Sequence, residues 1–270
     1  EALNARNAFQ RSKPVYGQKR FGGSLGGPIA QNRTHFFGAY EYTNVDQQNI
    51  IALPARNPFA AAQNGEFPAT SREHLMVAKL DHRLSDRSSF FVRYAFDDQF
   101  ATRTGTVTSD ESNVNDSSKM HSVIGEQNFV LSNSSVNSLR VHYMWNEVAT
   151  VPVTLGVPRE VRPSVTTGQN WTSPQFFPRT RIQVFETFYK SAGRHDLKFG
   201  ADYTYAKHSY EAHFYESGSW DFTTDAPFDR ANQATWPIAF VQQTPGTYDY
   251  NSHIFAAYVQ DDWRVSDKVR

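Results

Sequence analysis

The chain has 270 residues, no cysteine, and 27 basic against 27 acidic side chains. The lack of cysteine excludes a disulfide framework and any cysteine-based metal site, and zero net charge argues against a nucleic-acid partner, which needs a basic surface. Aromatic residues reach 14% although the mean hydropathy is −0.60. This combination is typical of a membrane barrel with aromatic girdles, a polar lumen and polar loops.

Five short polar turns divide the chain, with a predicted strand before and after each one. The turns lie at residues 30–33, 85–88, 132–134, 191–194 and 266–268. Long loops separate the hairpins, at residues 44–72, 101–117, 150–180 and 213–251. Short connections on one side and long ones on the other are typical of an outer-membrane β-barrel, whereas four such loops would be unusual in a compact soluble domain.

Nine strands are predicted in chain order. They span residues 17–29, 34–44, 73–84, 89–98, 119–131, 135–147, 181–190, 194–208 and 252–265. The clearest is 89–98, and the strands at 119–131 and 181–190 alternate less well. Lengths of about 10–15 residues suit a tilted membrane span and exceed the usual soluble strand. An odd strand count, where bacterial barrels are even, predicts that the chain is an interior segment of a longer protein.

Strict alternation gives each strand an apolar face toward lipid and a polar face toward the lumen. Eight charged residues are predicted to face the lumen: Lys79, Asp81, Arg83, Arg93, Asp97, Arg140, Lys198 and Asp202. Toward the loop ends, Tyr42, Trp145 and Tyr205 are expected in an interfacial aromatic girdle. The charged face would meet water, a solute or a plug domain, and no catalytic role is predicted for it.

Chemical motifs are weak. The stretch Gly22-Gly-Ser-Leu-Gly26 matches the Gly-x-Ser-x-Gly nucleophile elbow, but no helix pattern follows it, and a glycine-rich strand is the favoured interpretation. His208 and His213 with Glu211 lack the spacing of a helical zinc motif. Residues 110–116 carry several oxygen ligands suited to calcium, without EF-hand spacing. We therefore predict no enzyme activity and no cofactor.

Aromatic residues in the predicted loops have two interpretations, which remain open at this point. They could contact a ligand or partner, or they could pack the loops into self-supporting caps. The six residues are Trp171, Phe176, Phe177, Trp220, Phe222 and Trp236.

Several stretches resemble the barrels of Oar-like TonB-dependent transporters. Arg20-Phe-Gly-Gly-Ser-Leu-Gly-Gly-Pro-Ile29, with Thr34-His-Phe-Phe-Gly-Ala-Tyr-Glu41, resembles their opening hairpin, and the residues from Ala2 to Phe9 resemble the loop before it. The residues from His195 to Tyr203 and from Phe255 to Ser266 resemble later strands. The whole chain, residues 1–270, is thus expected to be part of one barrel domain.

The resemblance implies a barrel of about 22 strands in the bacterial outer membrane. It also implies a plug domain upstream of Glu1, remaining strands downstream, and energy from the TonB complex acting through a missing N-terminal part. The short turns would be periplasmic and the long loops extracellular. The expected partners are outer-membrane lipid, the protein's own plug and an extracellular solute that the sequence does not identify.

Other functions remain open. A passive porin or structural outer-membrane protein would lack the plug. A soluble β-rich module, such as a carbohydrate-binding sandwich or adhesin, would have shorter strands with apolar faces buried between two sheets. An outer-membrane hydrolase would need a Ser/His pair, and spacing assigns none.

Overall fold

A nine-stranded antiparallel sheet in the order β1-β2-β3-β4-β5-β6-β9-β10-β13 dominates the computed structural model, which describes residues 15–103 and 108–266. Strands that are neighbours in the chain lie side by side, so the sheet is up-and-down. The long strands are Gly17–Ala30 (β1), Thr34–Ile51 (β2), Gly65–Ser85 (β3), Ser88–Thr102 (β4), Val114–Ser132 (β5), Ser135–Pro152 (β6), Gln175–Ala192 (β9), His195–Ala212 (β10) and Gly246–Trp263 (β13). All nine predicted strands are confirmed.

The connections alternate between short and long, as predicted. Turns of a few residues join β1 to β2, β3 to β4, β5 to β6 and β9 to β10. Four loops lie at the opposite ends of the strands: a first loop (residues 52–64), a second loop (103–113, described except 104–107), a third loop (153–174) and a fourth loop (213–245). The predicted loop boundaries were too wide, because each of the eight long strands that flank these loops continues beyond its predicted end on this side.

The strand extensions have a physical cause. The β2–β3 ladder runs without interruption from Thr34↔His82 to Ile51↔Gly65. Its last pairs involve Gln47, Gln48 and Asn49, polar residues with no alternation. Where neither face meets lipid, the backbone ladder persists without an alternating sequence. The strands of 14 to 21 residues are therefore longer than a membrane span requires.

Side chains alternate between the two faces of the sheet along each strand, and the register aligns residues of the same face on neighbouring strands. The apolar face carries rows such as Leu80↔Val92 and Val141↔Val184. The polar face carries rows such as Lys79↔Arg93 and Glu126↔Arg140. Because each row crosses neighbouring strands at one height, side chains of one row share one face.

Short elements lie among the loops. A four-stranded sheet of order β12-β11-β7-β8 joins the third and fourth loops, with β11 parallel to β7. Its strands are Arg159–Val161 (β7), Thr166–Thr167 (β8), Ser219–Asp221 (β11) and Ala239–Val241 (β12), and a short helix, Ala60–Gln63 (α1), lies in the first loop. Single 3-10 turns occur at Asp110–Ser112 and Gln233–Thr235. Among the described residues, no helix has the length and apolar character to cross a membrane.

The Gly-x-Ser-x-Gly match lies inside the continuous strand β1, and no nucleophile elbow forms there. A Cβ on Gly22 would lie 2.5 Å from the carbonyl oxygen of Tyr40. The glycine therefore permits close approach of two backbones, which explains the motif without catalysis.

Two stretches for which the sequence makes a prediction lie wholly or partly outside the residues that the structure describes. The residues from Ala2 to Phe9, expected as an extracellular loop, lie outside the described residues. The last predicted turn, 266–268, is described only at Ser266.

Candidate functional site

The eight charged residues predicted for the lumen share the polar face of the sheet. Ladder pairs that connect β3 through β10 place them in common rows, as in Lys79↔Arg93, Arg140↔Phe185 and Phe185↔Asp202. They do not form one cluster, because they spread over several rows and four strands.

Most of these eight residues have close partners. Lys79 Nζ lies 2.7 Å from Asp81, and Arg83 lies 2.7 Å from Asp86 at the turn. Arg140 donates from Nε to Glu126 at 2.6 Å.

The remaining contacts of this face include aromatic rings and amides. Lys198 Nζ lies between the rings of Tyr189 and Tyr258, at 5.3 and 5.4 Å from their centroids. Asp202 accepts a hydrogen bond of 2.6 Å from Gln183. Asp97 accepts one from Gln99 at Oδ2, but its Oδ1 is buried without a partner among the described residues.

The four loops contact one another and form a single assembly, called the loop cap here (residues 52–64, 103 with 108–113, 153–174 and 213–245). Its central residue is Arg162, whose side chain is 2% exposed. Arg162 donates to Glu160 from Nε and Nη2 at 3.1 and 2.9 Å, and to the carbonyls of Thr224 and Ala226 from Nη1. One guanidinium therefore ties the third loop to the fourth.

Aromatic rings complete the environment of Arg162. Its guanidinium carbon lies 3.8 Å from the ring centroid of Phe222 in the fourth loop and 5.1 Å from that of Phe59 in the first loop. Desolvated cation–π contacts of this kind add to the stability of a buried guanidinium.

Polar side chains attach the second loop to the third. Ser109 Oγ donates to the carbonyl of Thr166 at 2.6 Å, and Glu111 accepts from the backbone N–H of Gly168 at 3.1 Å. Asn170 donates to the carbonyl of Ser112 at 3.1 Å. These bonds fix the second loop onto the third.

A further set of bonds connects three loops at Ser164. Asn57 of the first loop donates to Ser164 Oγ. Ser164 in turn donates to both carboxylate oxygens of Asp225 in the fourth loop, at 3.0 Å from its backbone and 2.7 Å from its hydroxyl. The cap is therefore a folded unit with its own hydrogen-bond network.

Apart from Phe222, which packs on the guanidinium of Arg162, the predicted loop aromatics fall into two groups. Trp171, Trp220 and Trp236 lie in the cap and keep 37 to 41% of their surface exposed. Trp171 stacks on Tyr215 at 4.9 Å, and Trp220 packs on Phe240 at 4.2 Å. Each tryptophan thus has one packed side and one accessible side, and packing and ligand contact are compatible for these residues.

Phe176 and Phe177 do not lie in a loop, which corrects the predicted boundary. Both belong to β9, and Phe177 stacks on Tyr210 of β10 at 4.5 Å. Phe176 meets His213 edge-on at 6.5 Å. The error arises because the alternation of β9 is interrupted near this end.

The acidic stretch 110–116 does not gather its oxygens in one place. Glu111 bonds Gly168, and Asp116, within β5, pairs with Arg103 at 2.9 Å. Burial, together with the nearby Glu111 charge, raises the pKa of Asp110. Within residues 15–103 and 108–266, no group of three or more His, Asp or Glu side chains is arranged to hold a metal ion.

His208 and His213 lie apart, as their spacing indicates. His208 stacks on Tyr250 at 4.7 Å, within the sheet. His213 lies between Glu211 at 2.8 Å and Glu216 at 3.0 Å. Burial lowers the pKa of His213, but the hydrogen bonds and charges of the two glutamates outweigh it and raise this pKa overall.

A repeated aromatic–histidine arrangement on the apolar face was not predicted from the sequence. Three tyrosine hydroxyls contact histidine Nδ1 on the next strand: Tyr40 with His74, Tyr94 with His121, and Tyr203 with His253, at 2.8 to 3.0 Å. The predicted girdle residues Tyr42, Trp145 and Tyr205 each pack on one of the same histidines. These side chains are amphipathic, which suits the membrane interface. A search for histidines on the apolar face of each strand would have found them.

Comparison with solved structures supports the fold. The chain is similar to the outer membrane transporter YddB from Escherichia coli, at 12% identity with a TM-score of 0.65, over 92% of this chain and 32% of that one. It is also similar to the open form of the ferric-catecholate import receptor Fiu from E. coli K12, at 13% identity with a TM-score of 0.50, over 93% of this chain and 45% of that one. The chain thus spans less than half the length of either structure.

Sequence comparison assigns the family. Among curated proteins, none matches this chain. The family model described as "Outer membrane beta barrel domain" matches residues 1–75 and 52–270, which together cover the chain. The chain therefore belongs to the outer membrane beta barrel domain family, which places it in the bacterial outer membrane.

Proposed function

We propose that this segment forms part of the wall of a plugged transporter, which takes up a solute with energy from the TonB complex. The observation that carries the proposal is the open nine-stranded sheet. Within the described residues, β1 and β13 each pair with a single long strand, so closure needs more strands. Porins of about 16–18 strands enclose an open channel, whereas outer-membrane transporters of about 22 strands hold a plug.

Two buried, unpaired atoms on the polar face support the proposal that the lumen contains a plug domain. Asp97 Oδ1 and Arg181 Nε are buried and have no hydrogen-bond partner among the described residues. Buried polar groups are nearly always paired in a complete structure. Both atoms lie on the face that a plug domain would contact, and side chains of this face that reorient against a plug would complete their hydrogen bonds.

The loop cap is the proposed first contact for the solute. Trp171, Trp220 and Trp236 offer accessible indole surfaces on a unit that is already folded by Arg162 and Ser164. A preorganised surface loses less conformational entropy on binding than free loops do. YddB is a transporter and Fiu an import receptor, and this likeness in fold is compatible with an uptake role.

A conductance measurement tests the plugged barrel against the passive porin. The full protein encoded by the gene is inserted into a planar bilayer in KCl. We expect no steady current, and an open channel when the region upstream of this barrel is deleted. A steady current through the unaltered protein would contradict the plug and favour a porin.

A binding measurement tests the energy source separately. The purified periplasmic domain of TonB is passed over the immobilised full protein. We expect saturable capture that is lost when the region upstream of the barrel is deleted. A closed pore that fails to capture this domain would overturn TonB dependence while leaving the plugged barrel in place.

A further inference from the structure

Glu186 of β9 lies on the apolar face of the sheet, among lipid-facing residues. Its ladder partners on the two neighbouring strands are Leu139 and Ala201. Along β9, the next residues on the same face are Val184 toward the loops and Phe188 toward the turn, because side chains alternate with a period of two. The carboxyl group is therefore held between apolar residues, within the hydrocarbon layer.

An acid in this position is costly in a membrane protein. Ionisable residues at membrane depth are rare on the lipid side, and those that occur mark a functional contact. Asn137 of β6 lies on the same face and donates a hydrogen bond from Nδ2 to Oε1 of Glu186. The pair satisfies itself in part, since Asn137 keeps a second N–H and a carbonyl oxygen and the carboxyl keeps a second oxygen.

A groove of about 560 Å³ opens beside Glu186 on β9, β10 and β13. Ala201 and Ala257 are ladder partners and form its floor. Tyr203 and Phe255, whose ring centroids are 4.7 Å apart, border it on the loop side. Small residues flanked by large ones permit close approach of another protein surface within a membrane.

The geometry points to a second copy of this protein as the occupant of the groove, so that the Asn137–Glu186 pairs of two barrels meet across a two-fold axis. Two copies insert with the same orientation, and a two-fold axis along the membrane normal places each residue at the depth of its mate. The pair contains both donors and acceptors, so it is complementary to itself. A lipid acyl chain could fill the groove but offers the carboxyl group no hydrogen bond.

Cysteine cross-linking of the full protein in outer membranes tests this interface. Leu139 is the ladder partner of Glu186 on β6 and lies next to the proposed axis. Because the chain contains no cysteine, Leu139→Cys adds a single thiol to this segment at that place. We expect oxidation to give an adduct of twice the mass of the protein. The matched control is Val92→Cys, which lies on the apolar face of β4 and is also exposed, and we expect it to give no such adduct.

The contribution of the polar pair is tested in the Leu139→Cys background. Glu186→Leu should lower the cross-linked fraction about five-fold or more, as expected for the loss of two intramembrane hydrogen bonds, while Glu186→Gln should retain it. Heat-dependent migration on gels reports that each barrel is folded. The proposal fails if Leu139→Cys cross-links no more than Val92→Cys, if the adduct contains a different protein, or if Glu186→Leu leaves the cross-linked fraction unchanged.

Discussion

The nine-stranded sheet and the loop cap differ in where their side chains find partners. The largest fully buried side chains are Val114, Val165, Asn113, Ser109 and Ser173. All five lie in the cap or at the strand end that enters it. The long strands instead expose large apolar residues throughout, because lipid covers one face of a membrane barrel and the lumen contents cover the other.

This difference explains why the two regions rely on different interactions. The sheet is held by its backbone ladders, which tolerate changes of individual side chains as long as the face keeps its character. The cap lies beyond the membrane and has to bury its own core. It does so mainly with polar contacts, of which the guanidinium of Arg162 makes the most.

The largest effect is expected in the cap, from Arg162→Met. The substitution leaves Glu160 and the carbonyls of Thr224 and Ala226 without their donor. Glu160 is 38% exposed and can be hydrated, whereas each of the two carbonyls left without a donor costs about 1–3 kcal/mol. Hydrogen exchange should show loss of protection in the third and fourth loops, with the sheet unaffected.

The matched control is Arg230→Ala, because Arg230 is an exposed arginine of the fourth loop, which Arg162 ties to the third. It should leave the exchange of both loops unchanged. If Arg162→Met left the loops as protected as the parent protein, the cap would not depend on this residue.

In the sheet, the expected effect depends on the face. Val92→Arg places a charge on the lipid side and should destabilise the barrel by about 2–4 kcal/mol. Gln99→Arg lies on the polar face of the same strand, within reach of Glu73 and Asp97, and should cost little. Urea unfolding of the full protein in lipid vesicles measures both. Equal losses of stability would mean that the two faces are wrongly assigned.

A smaller effect concerns the backbone contact of β1 with β2. In Gly22→Ala, the new Cβ would lie 2.5 Å from the carbonyl oxygen of Tyr40, whereas a Cβ on Gly23 would meet nothing within 4 Å. Overpacking of this kind costs about 1–3 kcal/mol. The same unfolding measurement should therefore separate Gly22→Ala from Gly23→Ala. A Gly23→Ala variant as unstable as Gly22→Ala would contradict the explanation from close approach.

The sequence predicted the sheet well because lipid imposes alternation. Residues 89–98 alternate strictly, and the structure places them in β4. The sequence did not predict the loop-side ends of the strands, because both faces of these ends meet polar surroundings and the sequence there no longer alternates. The backbone ladder nevertheless continues, as at residues 65–72 of β3. The poor alternation of residues 181–190 had a specific cause, since Glu186 occupies an apolar-face position.

The loop cap could not be predicted in the same way. Arg162 resembles any loop arginine in the sequence, and its acceptors Thr224 and Ala226 lie far along the chain. No periodic pattern links residues that meet only through loop folding. The strands β7, β8, β11 and β12, of two or three residues each, are likewise too short to give a pattern.

The smallest predicted effect is a pH dependence at the base of the fourth loop. Because the folded-state pKa of His213 is raised, its protonated form stabilises the fold. This contribution is fully present below the unfolded pKa of about 6.5 and is lost as the pH rises through the folded pKa. The groups that face the imidazole are Glu211, Glu216 and the ring of Phe176.

Hydrogen exchange of residues 211–218, measured at pH 6 and pH 8.5 and corrected for intrinsic rates, should therefore show weaker protection at the higher pH. His213→Gln keeps a polar side chain but does not titrate, so the difference between the two pH values should vanish in this variant. Protection around Thr224 and Ala226 should not change, because their carbonyls accept from the guanidinium of Arg162 and not from His213. If the difference in protection between the two pH values persisted in His213→Gln, another group would be responsible for the titration. If the difference vanished, the start of the fourth loop would be sensitive to pH while the centre of the cap, around Arg162, would not.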